Sequence, residues 1–376
     1  MVIAGETSGD MHAARVIREI KKSQPNIKFW GIGGDEMASC DVKLEEHVRN
    51  MDVMGFSEVL RKYFHFRKIF KRMLKLAAER KPDAVLLVDY PGFNLRFARA
   101  AKRLNLKVIY YICPQVWAWH RSRIGKMAQI IDRLLVIFPF EKEIFDGTGL
   151  HVDFVGHPLV ETIRRLKESR QEELPWRGVK RVALLPGSRR QEVERILPSI
   201  WEAARLLEEK DPGISFILAT PSSVIESIAR NTISNITKNP ERVEFVVGKT
   251  RHVLWQAQAA IVASGTATIE AALMRCPMVI VYCVSGITYW LGRKLIKIPY
   301  IGMVNIVADR ELCPEFIQHD ADPVRIAAAM GVILKDGSKR ENMLAGLDSV
   351  ADKLSVENAI EKSAAVILDE LGLSAS

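Results

Sequence analysis

The stretch Ala259-Ala-Ile-Val-Ala-Ser-Gly-Thr-Ala-Thr-Ile-Glu-Ala-Ala-Leu273 predicts a strand, a tight turn and a helix in immediate succession. Residues 259–263 are apolar, residues 264–266 are small turn formers, and Glu270 lies one turn into the helix. Free N–H groups and the positive end of the helix dipole meet at such a turn and attract phosphate oxygens. Glu270 is placed to accept hydrogen bonds from sugar hydroxyls beside that phosphate. The stretch therefore predicts a nucleotide-sugar site, with a strand–turn–helix corner capped by threonine as the alternative.

Strands alternate with helical patterns along the whole chain, which is typical of βαβ units and parallel sheets. The first series of strands is predicted at 2–4, 28–31, 84–88, 107–111, 134–137 and 152–155. The second series is predicted at 181–185, 215–219, 243–247, 259–263 and 278–281. Because 376 residues exceed what one core usually supports, two doubly wound Rossmann-like α/β domains are expected, with an interdomain cleft at the carboxyl ends of the strands.

The domain boundary is predicted in the polar segment 161–180. We expect an N-terminal domain at 1–165, a C-terminal domain at 175–345 and a helical segment at 346–376. Whether this last segment packs back on the first domain is left open. Function is expected on the loops that follow strands, where α/β folds bind ligands.

The composition is that of a soluble globular protein, with 48% hydrophobic and 26% charged residues. No apolar run is long enough to cross a bilayer, and no secretory signal is visible, so a cytoplasmic protein is expected. Five cysteines without C-x-x-C spacing predict neither disulfides nor a zinc site. The one D-x-D, Asp320-Ala-Asp322, precedes a predicted helix and is interpreted as an N-cap cluster. Neither a metal nor another cofactor is predicted.

Three loops carry residues suited to chemistry. Gly5-Glu-Thr-Ser-Gly-Asp10 follows the first strand and presents Glu6 and Ser8, with a capped βα turn as the alternative. Asp89 ends a buried strand, where a carboxylate can act as a general base; capping of the turn before Pro91 is the alternative.

The third loop contains Gly187, Ser188 and Arg189 and precedes a helix. The glycine lets the backbone approach a ligand, and the guanidinium can pair with a diphosphate through two hydrogen bonds. We interpret it as a diphosphate-binding loop rather than a solvated Arg-Arg turn.

The formal net charge of +9 predicts an anionic partner. Residues 61–75 contain seven Lys or Arg and no acid, with apolar residues at helical spacing. Packing of the apolar stripe on its own sheet is compatible with docking of the basic faces on an anionic membrane. A second basic segment, residues 289–298, again mixes aromatic residues with cations. Neither basic segment has the pattern of a nucleic-acid-binding module. The residues predicted to face the membrane are Phe66, Arg67, Lys68, Phe70, Lys71, Arg72, Trp290, Arg293 and Lys294.

Several motifs follow one another in a fixed order along the chain: Ala4-Gly-Glu-Thr-Ser-Gly-Asp10, Pro114-Gln-Val-Trp-Ala-Trp119, Phe138-Pro-Phe-Glu141, Val155-Gly-His-Pro158, Leu185-Pro-Gly-Ser-Arg189, Ser264-Gly-Thr-Ala-Thr-Ile-Glu270, Asn305 and Pro314-Glu-Phe-Ile-Gln318. This ordered set resembles the lipid-A-disaccharide synthase family over nearly the whole chain. The sequence departs from the family pattern at Val304, where proline is usual, and in the short first strand, which leaves open a start upstream of Met1.

The resemblance implies an inverting, metal-independent GT-B glycosyltransferase. Such enzymes join UDP-2,3-diacylglucosamine to 2,3-diacylglucosamine 1-phosphate, giving a β-1,6-linked disaccharide and UDP. The resemblance assigns Asp89 as the base, Arg189 to the diphosphate and Glu270 to the ribose, with Glu6 and Ser8 on the acceptor side. The remaining donor-side residues are Gly187, Ser188, Ser264, Gly265, Thr266, Asn305 and Gln318.

The implied location is the cytoplasmic face of the inner membrane, held peripherally. The oligomeric state stays open, with a homodimer among the arrangements permitted. Competing hypotheses are a UDP-N-acetylglucosamine 2-epimerase, another GT-B UDP-sugar transferase, and a peripheral membrane-binding protein without catalysis.

Overall fold

The structure is a computed structural model that describes residues 1–51, 59–119, 121–286, 289 and 298–373. The chain divides by its internal packing into two compact units. The first unit comprises Met1–Pro158 and Leu354–Ser376, and the second comprises Leu159–Lys353. The α/β class predicted from the sequence is confirmed, because each unit contains a parallel sheet with helices between its strands.

The first unit is built on a seven-stranded sheet. Its strands are β1 (Val2–Ala4), β2 (Trp30–Gly33), β3 (Lys43–His47), β4 (Ala84–Val88), β5 (Lys107–Tyr111), β6 (Arg133–Val136) and β7 (His151–Phe154). Its helices are α1 (Thr7–Ser23), α2 (Asp35–Ala38), α3 (Val59–Arg80), α4 (Pro91–Arg103), α5 (Val116–Trp119), α6 (Ile124–Ala128) and α7 (Pro139–Ile144), with 3-10 turns at Val48–Asn50 and Arg121–Arg123. The strand order is β3-β2-β1-β4-β5-β6-β7.

The second unit contains a six-stranded sheet. Its strands are β8 (Lys180–Leu185), β9 (Ile214–Thr220), β10 (Val243–Val247), β11 (Ala259–Ala263), β12 (Met278–Tyr282) and β13 (Glu315–Ile317). Its helices are α8 (Pro158–Glu168), α9 (Arg190–Lys210), α10 (Ser223–Ile233), α11 (Thr250–Gln256), α12 (Thr266–Leu273), α13 (Met303–Ala308), α14 (Pro323–Ile333) and α15 (Ser338–Leu354), with a 3-10 turn at Gln318–Asp320. The strand order is β10-β9-β8-β11-β12-β13. The last helix of the chain, α16 (Ala359–Glu370), packs on α1 of the first unit.

Each sheet reverses its direction of winding between two adjacent strands. In the first unit the reversal lies between β1 and β4, which pair in parallel through Val2 and Leu86. In the second unit it lies between β8 and β11, which pair through Ala259 and Val182. Ligands of open α/β sheets bind outside the carboxyl ends of the strands at such reversals. The loops after these four strands are therefore the positions to inspect in each unit.

Helix α3 uses its apolar stripe to cover the first sheet. Ile69, Met73 and Ala77 are buried in the core, because residues four apart lie on one helix face. Phe66 and Phe70, which are predicted to face a membrane, instead pack against that core. The basic faces remain at the surface: Arg67, Lys68 and Lys71 are exposed.

Two cations of α3 are paired with acids from β3. Arg72 donates to Glu46 at 2.6 Å, and Arg80 donates to Glu45 at 2.7 Å. These contacts tie the helix to the edge strand. Among the described residues, the structure contains no helix with the length and hydropathy that a membrane crossing requires.

Candidate functional site

The loop after β4 holds Asp89 in an unusual backbone conformation. Asp89 and Tyr90 have φ values of 48° and 49°, both in the left-handed region. The main-chain oxygen of Asp89 accepts hydrogen bonds from the Asn94 amide at 2.8 Å and the Tyr110 hydroxyl at 2.6 Å. Burial raises the pKa of the Asp89 carboxyl, and a hydrogen bond from the Tyr90 backbone partly opposes this. A carboxylate on a backbone held in this way, with a raised pKa, is suited to accept a proton.

The loop after β1 lies against this turn. Gly5 is covered by the Tyr90 ring, since a Cβ atom at position 5 would lie 2.2 Å from Tyr90 Cδ1. Glu6 is the N-cap of α1, and both Glu6 and Ser8 are exposed. The structure thus brings the first two loops singled out in the sequence to one edge of the first sheet.

A buried glutamate links the next two loops along the same edge. Glu141 accepts hydrogen bonds from Trp117 Nε1 at 3.1 Å and from the Phe138 N–H at 3.2 Å, and it is fully buried. Burial raises its pKa to about 8, so its carboxyl is largely protonated at neutral pH. Burial also raises the pKa of Cys113 well above its usual value, with further contributions from the charges of Glu141 and Asp89. The motif containing Glu141 was recognised in the sequence, but its place beside the candidate base was not.

The second unit has a cavity of about 300 Å³ at the reversal of its sheet. The loop after β8 and the turn after β11 both line it, because these two strands are parallel neighbours and end at the same side of the sheet. The predicted donor-side residues that line it are Gly187, Ser188, Arg189, Ser264, Gly265, Thr266 and Glu270. Strand β11, the turn and helix α12 follow the boundaries expected from the opening sequence stretch.

The loop after β8 binds a carboxylate of its own chain. Glu192 Oε2 accepts the N–H groups of Ser188 at 3.0 Å and Arg189 at 3.2 Å, while Arg189 Nη1 donates to Oε1 at 3.1 Å. Gly187 has a φ of 119°, and a Cβ there would lie 2.7 Å from the same carboxylate. These donors converge on an anion in the way that a phosphate requires. Sequence reasoning missed Glu192, although a glutamate three residues after the helix cap is the spacing of a capping box.

Glu270 enters the cavity from the first turns of α12 and is paired with a cation. Arg251 Nε donates to Glu270 Oε1 at 2.7 Å, and the Glu270 side chain is 14% exposed. Arg251 lies on α11 beside Thr250, another residue of the cavity wall. Sequence reasoning missed Arg251, because no local pattern connects positions 251 and 270.

Two predicted donor-side residues do not line this cavity. Asn305 is fully buried; its amide donates to Cys313 O and Glu315 Oε1, and its oxygen accepts from Leu312 N and Cys313 N. Gln318 exchanges two hydrogen bonds with the backbone of Val284. Both amides are therefore engaged within the protein, and they brace the loops around β13.

The remaining predictions concern the D-x-D, the metal and the second basic segment. Asp322 is the N-cap of α14 and accepts the Arg325 N–H at 3.0 Å, which confirms the predicted capping role. In the part of the chain that the structure describes, His, Cys, Asp and Glu side chains nowhere gather in a group able to hold a metal ion. Trp290, Arg293 and Lys294 lie outside the described residues.

Comparison with known proteins identifies a family. The family model described as lipid-A-disaccharide synthetase matches residues 1–368. The chain is 40% identical to the lipid-A-disaccharide synthase of Syntrophus aciditrophicus over 372 residues, covering 98% of this chain and 96% of that protein. It is 39% identical to that of Geobacter metallireducens over 376 residues, covering 99% and 97%. The resemblance seen in the motifs is thereby confirmed.

Solved structures share the fold at low identity. The UDP-GlcNAc 2-epimerase of Neisseria meningitidis bound to UDP-GlcNAc superposes with a TM-score of 0.66 at 12% identity, covering 96% of this chain and 97% of that one. The glycosyltransferase of kitacinnamycin gives 0.65 at 15% identity, covering 97% and 96%. These likenesses confirm the predicted GT-B fold class of two Rossmann-like domains.

Proposed function

The chain belongs to the lipid-A-disaccharide synthetase family, an enzyme family, and we propose that it is a glycosyltransferase of lipid A biosynthesis. It transfers 2,3-diacylglucosamine from UDP-2,3-diacylglucosamine to 2,3-diacylglucosamine 1-phosphate. The products are a β-1,6-linked disaccharide 1-phosphate and UDP. The observation that carries the proposal is that one cavity is lined both by the anion-binding loop at residues 187–189 and by Glu270, which is suited to bind ribose hydroxyls.

The donor nucleotide binds at this cavity through its charge and its sugar. The N–H groups of Ser188 and Arg189, with the Arg189 guanidinium, receive the diphosphate in place of the Glu192 carboxylate that they hold in the structure. Glu270 accepts the ribose hydroxyls, and the turn formed by residues 264–266 presents the N-terminus of α12. Arg189 and the helix N-termini then stabilise UDP as it departs, without a metal ion.

The acceptor hydroxyl is activated in the first unit by Asp89. Its carboxylate removes the proton as the oxygen attacks the anomeric carbon, a role that contributes roughly 10²–10⁴-fold. One displacement inverts the configuration, so an α-linked donor gives a β-linked product. Glu6 and Ser8 bind the acceptor. They lie on the loop whose Gly5 packs against Tyr90, the residue after Asp89.

Asn305 and Gln318 support the donor side through the loops that they brace rather than through direct contact. Ser264 connects to the same region, because its hydroxyl donates to Ile301 O at 3.0 Å. The Asn305 partner Glu315 also accepts the N–H groups of Ile301 and Gly302. This network fixes the segment that starts α13.

We propose that the exposed cations of α3 hold the enzyme on the anionic cytoplasmic face of the inner membrane, where both acylated substrates are found. Arg67, Lys68 and Lys71 are exposed, and Phe64 on the same helix is 59% exposed, so charge and one apolar ring face the solvent together. Trp290, Arg293 and Lys294 are proposed to add to it.

The test is incubation with both acylated substrates, followed by mass spectrometry of the lipid fraction and measurement of UDP. The proposal expects a disaccharide 1-phosphate and one UDP for each disaccharide. Formation of UDP-N-acetylmannosamine from non-acylated UDP-N-acetylglucosamine, with no disaccharide, would instead indicate the epimerase. Absence of both products would leave a binding protein.

A further inference from the structure

Glu270, a residue of the cavity wall, forms an ion pair with Arg251, and the contact is one-sided. Arg251 Nε donates to Oε1, whereas Oε2 accepts no hydrogen bond from any described residue. The Glu270 side chain is only 14% exposed, so packing leaves its carboxylate few orientations. The hydrogen bond from Arg251 to Oε1 favours the orientation in which Oε2 stays available to a ligand.

The surroundings favour Arg251 as the group that sets this orientation. Thr250, its neighbour on α11, lines the same cavity as Glu270, so the two helices meet at the wall. The other cation at this helix start, Lys249, is engaged with Glu172. Arg251 is 37% exposed, contacts Glu270 and is not one of the residues that line the cavity.

The charge of the pair matters for an anionic ligand as well. An unpaired carboxylate at the cavity would repel a nucleotide diphosphate bound nearby, and a paired one repels it less. A guanidinium that touched the phosphates directly would act differently, since it would strengthen the binding of every diphosphate regardless of the sugar. The two roles can therefore be separated by changing the sugar alone.

We propose that Arg251 is a positioning residue that holds Glu270 so that its second oxygen accepts the ribose 2′-hydroxyl, and thereby makes the site select ribonucleotides over 2′-deoxyribonucleotides. This inference rests on the proposed function of the cavity as a UDP site. It assigns a role to Arg251, which lies outside the motifs recognised in the sequence, and it predicts a measurable preference for ribose over 2′-deoxyribose.

The experiment is calorimetric titration of the full chain with UDP and with 2′-deoxy-UDP. The wild-type protein is expected to bind UDP roughly tenfold or more tightly than 2′-deoxy-UDP, because hydrogen bonds to charged groups are among the stronger ones. Arg251→Ala is expected to reduce the ratio of the two affinities to about threefold or less, mainly by lowering the affinity for UDP. Glu270→Gln should do the same, and the double variant should lose little more, because the two residues act through one contact.

The matched control is Arg230→Ala, which removes an exposed arginine that is paired with Glu226 in the same unit and does not line the cavity. Its UDP to 2′-deoxy-UDP ratio should equal that of the wild type. If Arg251→Ala does not fold, as judged by circular dichroism, Arg251→Gln carries the same measurement.

The outcomes separate this inference from the proposed function. A wild-type protein that binds neither nucleotide removes the UDP site itself and the inference with it. Binding of UDP with an unchanged ratio in Arg251→Ala, or equal weakening of both nucleotides, overturns only the role of Arg251. A wild-type protein that binds both nucleotides equally overturns the inference and leaves the diphosphate loop intact.

Discussion

The hydroxyl of Tyr110 donates a hydrogen bond of 2.6 Å to the main-chain oxygen of Asp89. Tyr110 is fully buried in the sheet, and the Asn94 amide reaches the same oxygen from the following helix. The turn thus holds two consecutive non-glycine residues at positive φ, each at a cost of about 1–3 kcal/mol. Such strain persists where the surroundings over-determine it, and here the two hydrogen bonds fix the backbone of the proposed base.

Replacing the proposed base should separate catalysis from binding. Asp89→Asn keeps the size of the side chain and tolerates the left-handed backbone, but it cannot accept the proton. We expect turnover to fall by at least roughly 10²-fold, with UDP affinity and thermal stability close to wild type. Asp41→Asn is the matched control, since Asp41 is also left-handed, with a φ of 54°, and lies at the surface. A turnover near normal in Asp89→Asn would reassign the base.

The pH dependence of the rate should report the environment of Asp89. Burial raises the pKa of this carboxyl, and only its deprotonated form accepts the proton. The value of kcat/KM should therefore fall on the acid side at a higher pH than an ordinary aspartate would give. Rates measured across the pH range in which the protein stays folded test this point. An acid limb in the ordinary aspartate range would argue that Asp89 is solvated in the working enzyme.

The contact between Gly5 and Tyr90 should make position 5 intolerant of a side chain. In Gly5→Ala the new Cβ would lie 2.2 Å from the ring, so Tyr90 and the adjacent Asp89 must move. We expect a loss of about 1–3 kcal/mol in the free energy of unfolding, as for other overpacked sites, together with lower turnover. Gly92→Ala is the control, because nothing lies within 4 Å of a Cβ at that helical position. Equal stability of the two variants in urea would contradict the packing.

The buried Glu141 should leave a mark on the pH dependence of stability. Its folded pKa is about 8 against an ordinary value of 4.5, so the folded state retains a proton that the unfolded state loses. The free energy of unfolding should therefore decrease as the pH rises from about 4.5 to about 8, by on the order of 1 kcal/mol for each pKa unit.

Urea unfolding of Glu141→Gln should lack that decrease, because glutamine does not titrate. Glu143→Gln, on the exposed face of the same helix, should retain it. An identical slope in Glu141→Gln would show that the carboxyl is ionised in the folded protein.

Most of the framework could be predicted from the sequence because buried parallel strands are short apolar runs. Several strands, such as Ala84–Val88 and Ala259–Ala263, have the bounds expected from the sequence. The strands Lys43–His47 and Glu315–Ile317 were not predicted, since the first is polar and half-exposed at a sheet edge and the second has three residues. Edge strands carry little of the apolar signal on which such predictions depend.

The site could be predicted only as far as single loops reveal it. Arg189 and Glu270 follow strands that neighbour each other at the reversal of the sheet, so topology alone brings them to one wall. The Arg251 contact could not be predicted, because it arises from the packing of two helices and joins residues 19 positions apart in sequence. Asn305 was expected on the donor side because of its motif, but in the structure it is fully buried and its amide forms hydrogen bonds within the protein.

The most direct test of the central claim is the anomeric configuration of the disaccharide formed in the presence of EDTA, determined by NMR. A single displacement at the anomeric carbon, with Asp89 as the base and Arg189 neutralising the departing UDP, predicts a β-1,6 linkage formed at an undiminished rate. An α-linked product, or a reaction that stops until a divalent cation is restored, would contradict it.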